Sequence, residues 1–408
     1  MNTHANGFAV LASAATVRGV LAAMVLAGYP GTVLAQEPRA KPTGTVDVGA
    51  GPVSDGSYKA GEYNGLEKQG AFFIGNMDLR SGAAYDSDSA RRWRVKGIDL
   101  GLATRSLTAQ VGVQGRFRVR FGFDELLRNR SDSYQTPYDG TGGNVLTLPG
   151  TWLVPTVAGS GGSNTASARG LVTTIGTAPF ISTAAADTGA VVSPSAAQID
   201  KVNAAANADL LLFHDVNLHT TRTKYDAGFN YIFDTRWSFD ANFRPEHKDG
   251  LKPMGTVSRI TVADISAVIP DRIDTDTDQI SLGLAFKGKK SFAQGGYYGS
   301  FFTNHVPFMS WQNWAVQPGT PNANTMSSTP SNNFNQFSAT GGVNLSSTTR
   351  LVATGSYARN TQNVAFITDA STPVVPVSSL NGLVVSTAFN TRFTARPAKK
   401  LSLTAAYW

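Results

Sequence analysis

Apolar and polar side chains alternate at every second position over much of the chain. Leu107, Ala109, Val111 and Val113 alternate with Thr108, Gln110, Gly112 and Gln114. The same parity continues through Phe117, Val119, Phe121 and Phe123, now against Arg116, Arg118, Arg120 and Gly122. This is the period of a β-strand with two unlike faces. As one strand the run would extend about 56 Å at ~3.3 Å per residue, whereas ~9–11 residues cross a bilayer as a barrel strand. Two readings follow: a long strand projecting past a membrane, or a hairpin closed by Gln114, Gly115 and Arg116.

Facing residues of an antiparallel pair share a face, so loop length and parity together test for hairpins. Tyr225, Ala227, Phe229, Tyr231 and Phe233 lead through Asp234, Thr235 and Arg236 into Trp237, Phe239, Ala241 and Phe243. Ile280, Leu282, Leu284 and Phe286 lead through residues 287–291 to Phe292. Phe337, Ala339, Val343 and Leu345 lead to Leu351, Ala353 and Tyr357, and Phe389, Phe393 and Ala395 lead to Leu401, Leu403, Ala405 and Tyr407. Long connections separate these hairpins, over residues 124–217, 245–277, 304–335 and 359–383. Short turns alternating with long loops are the plan of an outer-membrane β-barrel. A soluble β-sandwich also alternates, but predicts neither that loop pattern nor aromatics beside the turns. The fold class predicted is therefore all-β, a transmembrane antiparallel outer-membrane β-barrel of about twelve strands. Phe233, Trp237, Phe286, Phe292 and Tyr407 are the expected membrane-interface aromatics.

Composition agrees with that plan. Only 15% of the 408 residues are charged, against about 25% in a soluble domain. There is no Cys, which excludes disulfides, thiolate metal sites and haem attached through C-x-x-C-H. Arg18, an apolar stretch over 19–28 and Val33-Leu34-Ala35 before Gln36 form the three-part pattern of an export signal. The expected organisation is a signal peptide over 1–35, an extended periplasmic segment over 36–70, and a barrel over 71–408 with a long loop at 124–217. Within that loop, residues 196–212 have partly helical periodicity.

Catalytic and metal motifs fail on inspection. Residues 283–290 imitate a phosphate-binding loop, but Lys290 stands where Ser or Thr is needed. Asp274, Asp276 and Asp278 begin like a calcium loop, yet Gln279 and Ala285 replace its Gly and Glu. A cation site on an outer loop is the alternative to coincidence there. No nucleophile stands beside a base, so no enzyme is expected. Charge says more. Arg92, Arg94 and Lys96 alternate with Trp93 and Val95, as do Arg116, Arg118 and Arg120 with Phe117, Val119 and Phe121. Arginine on the lipid face costs about 2–4 kcal/mol near the midplane, so these six basic residues must face the lumen. They make either an ordinary hydrated wall or one that receives something acidic. An exported barrel is not expected to bind nucleic acid, despite the net charge of +7.

Five strings resemble the MtrB/PioB family of decahaem-associated outer membrane proteins: RVRFGFDEL (118–126), RSDSYQTPY (130–138), DGLKPMGTVSR (249–259), YYGSFF (297–302) and NTQNVAFITD (360–369). The resemblance runs from about residue 60 to the end. It implies a porin-like sheath in the Gram-negative outer membrane that holds a periplasmic decahaem c-type cytochrome, with an extracellular multihaem cytochrome as a further partner. The haem belongs to the cytochrome; the chain itself is expected to carry no cofactor and no metal. Arg92, Arg94, Lys96, Arg116, Arg118 and Arg120 would then contact haem propionates or acidic patches of the cytochrome. The family's barrels are about twice this long, and twelve strands would enclose too narrow a lumen for such a cytochrome, so the chain is expected to be part of a larger barrel. The competing function is a diffusion porin for small, including anionic, solutes.

Overall fold

The computed structural model describes residues 41–152 and 204–408, apart from positions 85, 87, 205–206, 261–262, 315–322 and 369–374. The signal peptide expected over 1–35 lies outside the described residues. Sixteen strands follow: β1 (Thr43–Val53), β2 (Gly70–Gly82), β3 (Arg91–Leu100), β4 (Ser106–Val113), β5 (Phe117–Thr136), β6 (Val145–Leu146), β7 (His214–Ile232), β8 (Trp237–Ile260), β9 (Ala263–Lys287), β10 (Ser291–Asn304), β11 (Phe308–Gln312), β12 (Ala323–Ser327), β13 (Asn332–Asn344), β14 (Thr349–Gln362), β15 (Gly382–Ala398) and β16 (Leu401–Tyr407). Thirteen of them form one sheet in the order β1-β2-β3-β4-β5-β7-β8-β9-β10-β13-β14-β15-β16. Each neighbour is antiparallel. Among the described residues β1 and β16 do not pair with each other.

The ladder registers test the alternation directly. One cross-strand row reads Trp93, Val111, Val119, Phe229, Ala241, Leu282, Tyr297, Phe337 and Tyr357. The adjacent row, on the other face, reads Arg94, Gln110, Arg120, Gly228, Asn242, Ser281, Tyr298, Gln336, Ala358 and Ser386. The apolar face is uncovered: Phe337 is 57% exposed, Phe389 56% and Val111 51%. A sandwich would bury those side chains under a second sheet. Here lipid is the phase that removes them from water, as in an outer-membrane barrel.

The run over 107–123 is a hairpin. Val113 pairs with Phe117, and Gly115 at φ +78° supplies the left-handed conformation that the three-residue loop needs. In the next tight turn Asp234 accepts hydrogen bonds from the backbone N–H of Arg236 (2.7 Å) and Trp237 (2.8 Å). These two donors hold its carboxyl below the usual carboxylate range.

Several boundaries differ from expectation. The segment expected to be an extended lead-in over 36–70 contributes β1, paired to β2 from Thr43 to Val53; the sheet therefore has thirteen strands and begins well before residue 71. The expected loop over 124–217 is shorter, because β5 runs on to Thr136 and β7 starts at His214. Within the expected loop over 245–277, residues 245–260 and 263–277 are instead paired strand, the upper part of β8 and β9. Beyond the membrane both faces of a strand are wet, so the apolar alternation that marks strands within it disappears. Most of the short helix expected over 196–212 lies outside the described residues; residues 207–210 are helical.

Among the described residues, the main cluster of buried hydrophobics draws only Ile269 from the large sheet. It lies in a cap at the long-loop end, where β6 pairs parallel with β11, and β11 antiparallel with β12. Tyr138, Leu146, Leu148, Trp152, Val306, Met309 and Trp311 pack there against Ile269 of β9. Tyr138 donates to the Gln312 carbonyl (2.8 Å), and Trp152 Nε1 donates to the Trp314 carbonyl (2.8 Å). Burial pushes the Tyr138 phenol well above its ordinary value. Ile269 has the parity of Ser281, so the cap covers the polar face of the sheet at that end. Trp311→Ala should cost about 3–5 kcal/mol of cap stability. Hydrogen exchange should rise sharply over β11 and β12 while the strands near the short turns stay protected.

Candidate functional site: the basic inner wall

The polar face carries its arginines in two different electrostatic states. Away from the short turns they are paired. Arg94 Nε donates to Asp78 Oδ1 at 2.7 Å. Arg120 and Arg244 both donate through Nε to Asp226, at 2.8 and 2.7 Å. Strand order brings Arg120, Asp226 and Arg244 together, since β5, β7 and β8 are successive neighbours in the sheet.

Around Arg94 and toward the short turns, four other arginines have no such partner among the described residues. A cavity of about 760 Å³ is lined by Arg80, Arg92, Arg94, Arg116, Arg118 and Lys41, among others. Among the described residues no ion pair reaches Arg80, Arg92, Arg116 or Arg118. Arg92 and Arg118 flank Gly112 in one ladder row, so no side chain separates them. Two strand spacings put their backbones about 10 Å apart. At that separation the repulsion is only ~0.4 kcal/mol in water and grows severalfold when water is displaced. Such a wall folds without a partner, but any large group that enters it must bring negative charge.

The opposite flank of the sheet repeats the pattern. A cleft of about 700 Å³ is lined by Lys289, Lys290, Arg350 and Arg396, with Ser346, Thr348 and Thr394 between them. Arg350 and Arg396 adjoin the apolar positions Leu351 and Ala395 and so take the opposite, inner parity. The same parity rule applied to the hairpins at 345–351 and 395–401 would have found them from sequence.

Of the six basic residues expected to line the lumen, five share one face of the sheet. Arg92, Arg94, Lys96, Arg118 and Arg120 share the face opposite Trp93 and Val119, and Arg116 sits in the turn below. The structure divides them. Among the described residues Arg92, Arg116 and Arg118 have no acidic partner, whereas Arg94 and Arg120 are held by Asp78 and Asp226. Lys96 faces Asp78 across the β2–β3 ladder.

Of the five expected interface aromatics, four have the outward parity. Trp237 and Phe286 pair across β8–β9 with ring centroids 4.8 Å apart, and Phe233 packs edge-on against Tyr231 at 4.9 Å. The ladder row of Trp237 and Phe286 continues through Ala293, Gly341, Ala353 and Thr391 to Tyr407. Phe292 is a correction. It faces inward, packed over Gly342 and under the Arg350 guanidinium, 5.0 Å from its ring centroid. A five-residue connection would have set it opposite Phe286. The chain instead turns over Lys289 and Lys290, so Lys287 pairs with Phe292 and Phe286 with Ala293.

Comparison with known proteins follows this geometry. Residues 53–408 match the model of the family described as outer membrane beta-barrel porin, MtrB/PioB. Outer membrane protein MtrB of Shewanella baltica (strain OS185) is 24% identical over 369 residues, which is 90% of this chain and 45% of that protein. The chain thus spans about half the length of the curated relative it matches. Among solved structures, the ferric-catecholate import receptor Fiu of E. coli K12 superposes with a TM-score of 0.35 at 10% identity, over 91% of this chain and 55% of the receptor. OmpT of Vibrio cholerae superposes with a TM-score of 0.28 at 9% identity, over 71% of this chain and 56% of that one.

Proposed function

The chain belongs to the MtrB/PioB family of outer membrane beta-barrel porins, and from that premise we propose that it builds part of a sheath holding a periplasmic multihaem c-type cytochrome across the outer membrane. The sheath's task is physical. Electron hops need closely spaced redox centres, and lipid cannot solvate a polar cytochrome. A wall that is apolar outside and polar inside meets both conditions, while the haems stay on the partner. An extracellular multihaem cytochrome would receive or supply the electrons at the long-loop end.

One observation carries this reading: among the described residues, the inner face near the short turns holds arginines and lysines with no acidic partner on both flanks of the sheet, whereas Arg94, Arg120 and Arg244 are paired. Haem propionates or an acidic protein surface would complete that charge. The wall's texture agrees. One inner row reads Gly283, Gly296, Ser338, Ser356 and Ala388, small side chains that leave room for a folded occupant. Outward-facing Phe233, Trp237, Phe286 and Tyr407 would sit in the lipid and its headgroup boundary.

Affinity isolation of the chain from outer membranes, followed by haem staining, tests the proposal. A haem-positive partner retained at low salt is the expected result. An intact barrel that carries no haem, and conducts small anions across a bilayer by itself, would replace the sheath with a diffusion porin.

A further inference from the structure

We infer that the inner face of β10, β13 and β14 docks an exposed haem edge of the partner cytochrome, its propionates toward the short turns and its hydrocarbon side against Tyr298 and Phe334. This rests on the sheath reading and adds to it where, and which way round, a haem meets the wall. Parity puts the two aromatics inside. Tyr297 and Phe337 pair in the outward row, with ring centroids 5.1 Å apart. Tyr298, one position on, lies between Ser281 and Gln336. Phe334, three positions before Phe337, lies between Ser300 and Asn360. Their rings meet across the β10–β13 ladder with centroids 6.0 Å apart, and both side chains are half-buried. In the same two rows β5 and β8 carry Arg120 and Arg244 instead, both held by Asp226. The aromatic pair therefore marks one sector of a polar wall, and an apolar surface packed on it takes both out of water.

The wall below the pair is shallow. The next inner row toward the short turns is the one of Gly283, Gly296, Ser338, Ser356 and Ala388. Phe292 lies six positions before Tyr298, about 20 Å at ~3.3 Å per residue. There Arg350 covers the Phe292 ring and lines the basic cleft with Lys289, Lys290 and Arg396. Among the described residues no ion pair reaches these four cations. The strip thus runs from cations, past small side chains, to two rings. Haem is divided in the same way: both carboxylates leave one edge of a flat, otherwise apolar ring. Carboxylates at the cations and hydrocarbon on the rings satisfy both ends at once. The reverse orientation would press carboxylates onto apolar rings, away from water and from any cation.

Full-length protein would be isolated from outer membranes with its haem-bearing partner, and haem per barrel measured at low salt and at ~1 M salt, where the Debye length is ~3 Å. The Tyr298→Ala/Phe334→Ala double variant should retain at least about tenfold less haem, the scale of removing aromatic anchors from an interface. The factor should be the same at both salt concentrations, because the lost contact is apolar. Ser356→Trp, which fills the shallow row, should lose the partner to a similar extent. Phe337→Ala removes a ring from the lipid side at the same level and should leave haem per barrel unchanged. Heat-modifiability on gels verifies that each variant keeps its barrel. Undiminished retention in the double variant, a loss that fades with salt, or an equal loss in Phe337→Ala would overturn this inference and leave the sheath standing. Absence of haem on the unaltered chain would overturn both.

Discussion

Leu282→Arg should sharply weaken insertion of the sheet into lipid, while Ser281→Arg, one residue away, should be nearly silent. Leu282 stands in the outward row between Ala241 and Tyr297. A cation there costs about 2–4 kcal/mol near the membrane midplane, a large part of the ~5–15 kcal/mol that separates typical folded and unfolded states. Ser281 lies in the inner row between Asn242 and Tyr298, where an added arginine meets water and polar neighbours and should stay within about 0.5 kcal/mol. Refolding yields into vesicles and urea midpoints for both variants decide the matter. Equal losses would mean that the two faces have the same surroundings, and the assignment of lipid and lumen would fail with them.

The second large effect concerns the arginines without acidic partners. Reversing Arg80, Arg92, Arg116 and Arg118 to Glu should lower retention of a haem-bearing partner at least tenfold, or about 1.4 kcal/mol. Each exposed pair contributes only ~0.2–1 kcal/mol, but four sites change sign together. The effect should be greatest at low salt and fade as ionic strength shortens the Debye length to ~8 Å at 0.15 M. Arg120→Gln with Arg244→Gln gives the contrast. It strands Asp226, which those side chains hold at 2.8 and 2.7 Å, and should reduce barrel stability with little change in haem per barrel. Haem content measured at two salt concentrations separates these outcomes. Retention that ignores both reversal and salt would remove the electrostatic basis of the proposed partner.

The sequence was most readable where one strand face meets lipid. There, the choice of lipid or lumen fixes every second residue, so the hairpin at 233–237 and the shared face of Arg92, Arg94 and Arg118 followed from parity, whereas the unbroken parity over 107–123 fitted one long strand as well as the hairpin that forms. It was least readable beyond the membrane. Residues 124–136, 245–260 and 263–279 are strand, but their apolar residues come side by side, as Leu126 with Leu127 and Val268 with Ile269, rather than at every second position, and nothing in that pattern separates them from loop. β1 was hidden similarly, because Gly44, Gly49, Gly51 and Pro52 resemble a linker although they pair with β2 throughout. Phe292 shows the finest grain of the problem: a turn shorter than assumed reversed its face. Which arginines lack a partner depends on acids brought near from other strands, such as Asp226 beside Arg120, and no local pattern encodes that.

The β8–β9 hairpin has 24 and 25 residues in its two strands. Some 11 residues suffice to cross the hydrocarbon, so about 13 remain, or ~40 Å of strand at ~3.3 Å per residue. That surplus is a two-stranded fin standing out from the hydrocarbon at the long-loop end. Whatever approaches from outside, whether a soluble carrier or a solid surface, would touch the fin before the rim. The closest approach of an external redox partner would then be set by the fin's height.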